Sequence, residues 1–142
     1  MNIRKESSTD EDAISKLNDE AFNTTEEESA IITRLRISEE LHLSLVAVED
    51  DGKIIGHIAF SPMTIDNYTG NEMFMGLAPM AVDPAYQGKG IGSALITNGI
   101  EMLREQNVAA VFVLWLNHWG GRVYILIGAV FTNAGRVILW LL

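Results

Sequence analysis

The chain has 142 residues, the size of one compact domain, and 48% of them are hydrophobic, enough to bury a core. It has no cysteine, which excludes disulfides, a thiolate metal site and a cysteine nucleophile, and which suits a reducing, cytoplasmic setting. The net charge of −9 argues against nucleic acid as a main partner.

Charge is unevenly spread. Fourteen of the nineteen acidic residues lie in residues 1–51, and none lies beyond Glu105. They read first as solvated helix faces, and in a sharper reading as an acidic rim that attracts an amine. Met1 to Asp12 is polar and charged, without the pattern of a signal peptide. The C-terminal stretch is apolar, but its runs 108–116 and 123–131 are nine residues each, separated by Asn117, His118 and Arg122. A spanning helix needs about 20 consecutive apolar residues, so no membrane segment is expected.

In chain order, Ile3 and its neighbours read as a short strand. Thr9 reads as the cap of a helix with Ala13, Ile14, Leu17 and Ala21 on one face. Thr25-x-x-Glu28 is a capping box for a second helix carrying Ile31, Ile32 and Leu35. Residues 43–61 read as a hairpin turning at Asp50-Asp51-Gly52, and residues 72–82 as the third strand of the same meander. Pro79 inside that strand removes a ladder hydrogen bond, so a bulge or an edge is expected there, freeing backbone around residues 80–82. A helix follows from about Gly90 to Gln106-Asn107, then a buried strand over 109–114. No linker or repeat divides the chain, so residues 1–142 form one domain.

The chemistry gathers where the third strand meets the helix, at Gln87-Gly88-Lys89-Gly90-Ile91-Gly92-Ser93. Glycines at alternating positions let the backbone approach a ligand and aim successive N–H groups one way. The helix start adds its unpaired N–H groups and the positive end of its dipole. Lys89 adds a mobile charge. The turn is a candidate pyrophosphate cradle, though a plain strand-to-helix turn would also use glycines. It is neither the G-x-G-x-x-G dinucleotide fingerprint nor a P-loop, since no Gly-Lys-Ser/Thr closes it.

Gln87-x-x-Gly90-x-Gly92, preceded by Met80-Ala81-Val82-Asp83-Pro84-Ala85-Tyr86, closely resembles the acyl-CoA-binding motif of the GNAT family of N-acetyltransferases. The match is dense over residues 77–95, and the order of elements agrees with that fold. The N-terminal part, including residues 56–62 and 76–79, is similar to a bacterial subgroup of these enzymes. The resemblance implies an α/β (α+β) acyl-CoA N-acyltransferase fold: a central mixed, mostly antiparallel sheet with two splayed strands, flanked by helices. It implies acetyl-CoA as cosubstrate, no metal, and an amine acceptor on a small molecule or a protein. Met80, Ala81, Val82, Gln87, Gly88, Lys89, Gly90, Ile91, Gly92, Ser93 and Asn117 would bind acetyl-CoA. An N–H near Met80 would face the thioester oxygen.

From Trp115 the chain departs from the subgroup. Asn117, Tyr124 and Gly128 still meet the wider family's spacing, which implies a last helix through Tyr124 running into a strand, then a turn at 132–135 and a closing strand at 136–142. Gly120-Gly121 and β-branched Val123, Ile125 and Ile127 oppose that helix, and a tail altered by a shifted reading frame would have the same look. Tyr124 is the family-matched candidate acid, with a core tyrosine as the plain alternative. His57, mid-strand, is a candidate base, with Glu72 behind it and water able to relay. Two functions stand: acetyl transfer from acetyl-CoA to a primary amine, or a module that binds acyl-CoA without turnover. The apolar tail, with Arg122 and Arg136 as its charges, suggests a homodimer.

Overall fold

The structure, a computed structural model, describes residues 1–23, 27–119, 122–131 and 137–138, with side-chain detail for residues 1–23 and 29–113. The chain runs through β1 (Asn2–Lys5), a 3-10 turn at Ser8–Asp10, α1 (Glu11–Phe22) and α2 (Glu27–Ile37). The meander β2 (Leu43–Val48), β3 (Ile54–Met63) and β4 (Met73–Val82) follows. A 3-10 turn at Pro84–Tyr86 leads to α3 (Ile91–Glu105), then β5 (Val108–Trp119), β6 (Arg122–Phe131) and β7 (Val137–Ile138).

The strands lie in chain order in one sheet, seven among the described residues. Neighbours are antiparallel except β4 and β5, which run parallel through α3. Helices cover both faces, so all six residues of β2 are buried. Leu45, Phe60, Met75, Leu95, Leu103 and Val111 fill the core beneath α3. Ile14, Ile32, Val46 and Val48 form a smaller cluster beneath α1 and α2.

The α3 helix lies close because β3 and α3 offer bare backbone at the crossing. A Cβ at Gly99 would fall 2.5 Å from the Phe60 ring, and one at Gly56 2.9 Å from Ile91. Side chains at either position would lift the helix off the sheet.

Two features of β4 shape the site. First, Leu77 pairs with Phe60 and Met80 with Ile58, so Ala78 and Pro79 together oppose Ala59 in a bulge. The proline expectation is met there, although residues 80–82 still pair with β3. Second, the parallel register with β5 runs from Met73–Val108 to Leu77–Val113 and stops. Beyond it β4 continues to Val82 and β5 to Trp119, leaving the splayed gap that the resemblance implied.

The segment after Trp119 corrects the sequence reading. Residues 122–131 are β6, a strand throughout, and Tyr124 pairs with Asn117 rather than sitting on a helix. Alternating Val123, Ile125 and Ile127 favour a pleated strand over a helix, and that preference outweighs the motif spacing. The turn expected at 132–135 lies outside the described residues. So does the closing strand apart from Val137–Ile138, and so does the capping position Thr25. Helix α1 also starts later than Thr9 suggested: Asp10 takes the Ser7 N–H at 2.7 Å and the Arg4 guanidinium at 2.6 and 3.0 Å, and α1 opens at Glu11.

Candidate acyl-carrier site

The site is built where β4 leaves the sheet's pairing and turns into α3. Asp83 ends the strand. Its carboxylate accepts the Ala85 N–H at 2.9 Å and pairs with Lys53 at 2.7 Å, and that Lys53 bond holds the Asp83 carboxyl below its usual range. The Gln87 side chain donates to the Val82 carbonyl at 3.0 Å, closing the turn onto the strand end. Gly88 and Gly90 take φ values of +74° and +82°, the left-handed region in which an L side chain is strained. Neither glycine has an atom within 4 Å of where a Cβ would be, so the space before the turn is open.

Helix α3 begins here with Gly90 as its N-cap. The Ala94 N–H is bonded to the Gly90 carbonyl at 3.0 Å. The N–H groups of Ile91, Gly92 and Ser93 precede that bond and have no acceptor within the helix. They point with the dipole's positive end into a pocket of about 500 Å³. Met80, Val82, Tyr86 and Ile96 form its apolar walls; Gln87, Gly88, Gly90, Ile91, Gly92 and Ser93 line the rest. A Cβ on Gly92 would meet Met80 at 3.7 Å and Val82 at 3.8 Å, ordinary contact distances, so the space here admits a methyl.

Eight of the eleven residues expected to bind the acyl carrier thus line one pocket. Ala81 does not. It is buried on the opposite face of β4, beside His57 of β3. Lys89 bends back to the Ala85 carbonyl at 3.1 Å and stands 4.8 Å from the centre of the Tyr86 ring, with Lys53 at 5.0 Å from the same ring. Asn117 lies on β5 beyond the last β4 pair, as many residues past Val113 as Ala81 is past Leu77. Tyr124 is its partner on β6, one strand further from the gap. The sequence reading missed Tyr86 and Ile96. Tyr86 stood inside the motif, and Ile96 follows one helical turn after Gly92 on the pocket side.

His57 is placed inside the fold, with no exposure. Its Nδ1 lies 3.1 Å from the Asn18 amide nitrogen and its Nε2 2.9 Å from the Ser44 hydroxyl. Burial lowers its pKa to about 4; the nearby Glu6 charge opposes that shift and Arg36 adds to it. Glu72 lies before β4, where its carboxylate accepts a hydrogen bond from the exposed Tyr68 hydroxyl. Among the described residues no cluster of histidine and carboxylate side chains could hold a metal ion, and no helix is long and apolar enough to cross a membrane.

A strand end, a glycine turn and a helix N-terminus set beside a splayed parallel pair define the acyl-CoA N-acyltransferase class of fold. The sequence matches the model of the acetyltransferase (GNAT) family over residues 11–124, and the chain belongs to that family. It is 36% identical over 115 residues to the uncharacterized N-acetyltransferase YhbS of Escherichia coli K12, covering 80% of this chain and 66% of the relative, so it spans just under two thirds of that protein's length. The crystal structure of YhbS from Escherichia coli in complex with CoA superposes with a TM-score of 0.74 at 35% identity, over 80% of this chain and 61% of that one. A GNAT family acetyltransferase from Brucella melitensis, solved in complex with acetyl-CoA, superposes with a TM-score of 0.75 at 33% identity, over 99% of this chain and 92% of that one.

Proposed function

We propose that this chain transfers an acetyl group from acetyl-CoA to an amine. The observation that carries the reading is the left-handed glycine turn at Gly88 and Gly90, opening α3 beside the stretch of β4 that has no β5 partner. Two relatives of this chain were crystallised with CoA or acetyl-CoA. The residues fit such a ligand: N–H groups for its phosphates, an apolar wall, and an open strand edge.

Bound acetyl-CoA supplies the acyl group as an activated thioester. The N–H groups of residues 88–93 hold the pyrophosphate, and Lys89 swings from Ala85 to add charge. Met80 and Val82 pack against the carrier arm. One edge of residues 80–82 is taken by β3, and the edge toward β5 is free to pair with the arm as an added strand would. An N–H at that edge steadies the carbonyl oxygen as charge develops on it. Tyr124, paired with Asn117 and one strand beyond the gap, is the assigned proton donor to the departing thiolate; a phenol with a pKa of about 10 is protonated at neutral pH. His57 takes no proton in this scheme, because both of its nitrogens are engaged and it has no exposure. The amine's proton passes to water.

The acceptor is an amine on a small molecule or a protein, and the acidic N-terminal half suits a cationic one. A module that binds acyl-CoA without turnover is the second reading, and the position of Tyr124 on β6 rather than on a helix favours it. Thiol release from acetyl-CoA across a panel of polyamines, amino sugars, lysine peptides and N-terminal peptides decides between them. Acetylation of at least one amine supports the enzyme; CoA binding with no turnover on any amine supports the module.

A further inference from the structure

The sheet face opposite α3 carries a buried polar chain that the reaction scheme leaves unused. It links five elements. Asn18 of α1 meets His57 of β3, His57 meets Ser44 of β2, and Ser44 donates to Glu6, just after β1. Glu6 in turn takes two bonds from Arg36 of α2, at 3.0 and 3.1 Å.

The direction of every proton in this chain follows from one atom. The Asn18 amide nitrogen donates to the Ile14 carbonyl at 2.8 Å, and a carbonyl can only accept. That fixes which way the amide faces, so its second N–H points at His57 Nδ1. Nδ1 must therefore be the bare nitrogen and Nε2 the protonated one. Nε2–H donates to the Ser44 oxygen, whose own proton goes to the Glu6 carboxylate. The arrangement leaves Asn18 Oδ1 buried and without a partner, the one such side-chain atom among the described residues. A polar atom is left unsatisfied so that the amide can face His57 with a donor.

This wiring admits a neutral histidine and rejects a charged one. A proton on Nδ1 would set N–H against N–H. The amide could answer only by flipping, which would offer Oδ1 to the imidazolium and break the bond to Ile14. The charged groups facing the imidazole are Glu6, 3.8 Å from Nε2, and Arg36 behind it on α2; α1 presents the neutral Asn18.

Position makes the wiring matter. Helix α1 packs on β3 and β4, and His57 pairs directly with Ala81, in the stretch of β4 that borders the gap. We propose that His57 is a positioning residue: as the neutral Nε2–H tautomer it latches α1 over the strand pair that borders the gap, and its protonation releases that helix. The role in positioning rests on the function proposed above, whereas the latch does not.

Two measurements on the full chain test it. Ring-nitrogen NMR should find His57 neutral, protonated at Nε2 and bare at Nδ1 at pH 6. Amide hydrogen exchange should show α1 protection factors falling by up to about tenfold per pH unit from pH 6.5 toward 5, because the released histidine takes up one proton. Burial raises the Glu6 pKa, but the Arg36 and Ser44 bonds together outweigh it and hold it low, so Glu6 adds its own loss only as pH falls through and below the ordinary carboxylate range, under this window. His57→Gln keeps a donor and an acceptor but cannot be protonated, so its α1 protection should be flat over the same window. An Nδ1–H or charged His57 at pH 6 overturns the proposal, as does α1 protection that falls equally in wild type and His57→Gln. Neither readout needs turnover, so a chain without transferase activity would sink the proposed function and still leave the latch decided.

Discussion

Gly90 carries the sharpest residue-level consequence. Its φ of +82° strains any side chain, so Gly90→Ala should destabilise the fold by about 1–2 kcal/mol in thermal melts even though nothing crowds the added methyl. Asp10 gives a second test. The Arg4 hydrogen bond is the main cause of its strongly lowered carboxyl pKa, reinforced by the bonds from Ser7 and opposed by burial. A depressed carboxyl stabilises above its unfolded pKa, so this contribution is present at neutral pH and fades as pH falls below about 4. Asp10→Asn should lower the melting temperature at pH 7 and lower it by about half as much at pH 2.5, where part of the ion pair still survives; equal losses at both would contradict the ion pair. Gly88 and Gly90 were legible in the sequence because the glycine spacing reports the left-handed backbone directly. His57 was not. Whether a histidine is open or sealed depends on Asn18 and Ser44, which lie 39 and 13 residues away in sequence.

Among the elements, the seat of α3 on β3 depends on Gly99. Gly99→Ala would drive a methyl into the Phe60 ring, and the overpacking should cost about 1–3 kcal/mol in chemical denaturation. The double change Gly99→Ala with Phe60→Leu should recover part of that loss; no recovery would mean the contact is not the cause. The meander and α3 could be read from period-2 and helical patterns flanked by turn residues. The facing of residues 80–82 could not. The bulge at Ala78 and Pro79 resets the alternation, so Leu77 and Met80 face the same side though three apart, and Ala81 turns away from the pocket. At β6 two signals competed. The Asn117–Tyr124–Gly128 spacing suggested a helix, and alternating branched residues prevailed with a strand. Tyr124→Phe weighs what remains of the motif: turnover should drop roughly 10–1000-fold with CoA affinity unchanged, and undiminished turnover would remove the assigned donor.

On the scale of the whole molecule, the sheet separates two tasks. The α3 face carries the glycine turn and its pocket, the α1–α2 face carries the sealed polar chain, and the splay between β4 and β5 opens between them. Residues 115–142, with two arginines as their charged side chains, predict self-association, and light scattering that reports a monomer across a wide concentration range would refute it. The proposed acyl-CoA binding depends most directly on the pocket at residues 80–93. Calorimetric titration of CoA into wild-type protein and into Gly90→Asp, with the variant's fold checked by circular dichroism, measures it. Wild type should bind one CoA per chain. The variant should bind at least about tenfold more weakly, the factor expected from about 1.4 kcal/mol of lost contact and added repulsion. A wild type that does not bind CoA, or a folded Gly90→Asp that binds it equally well, would contradict the account.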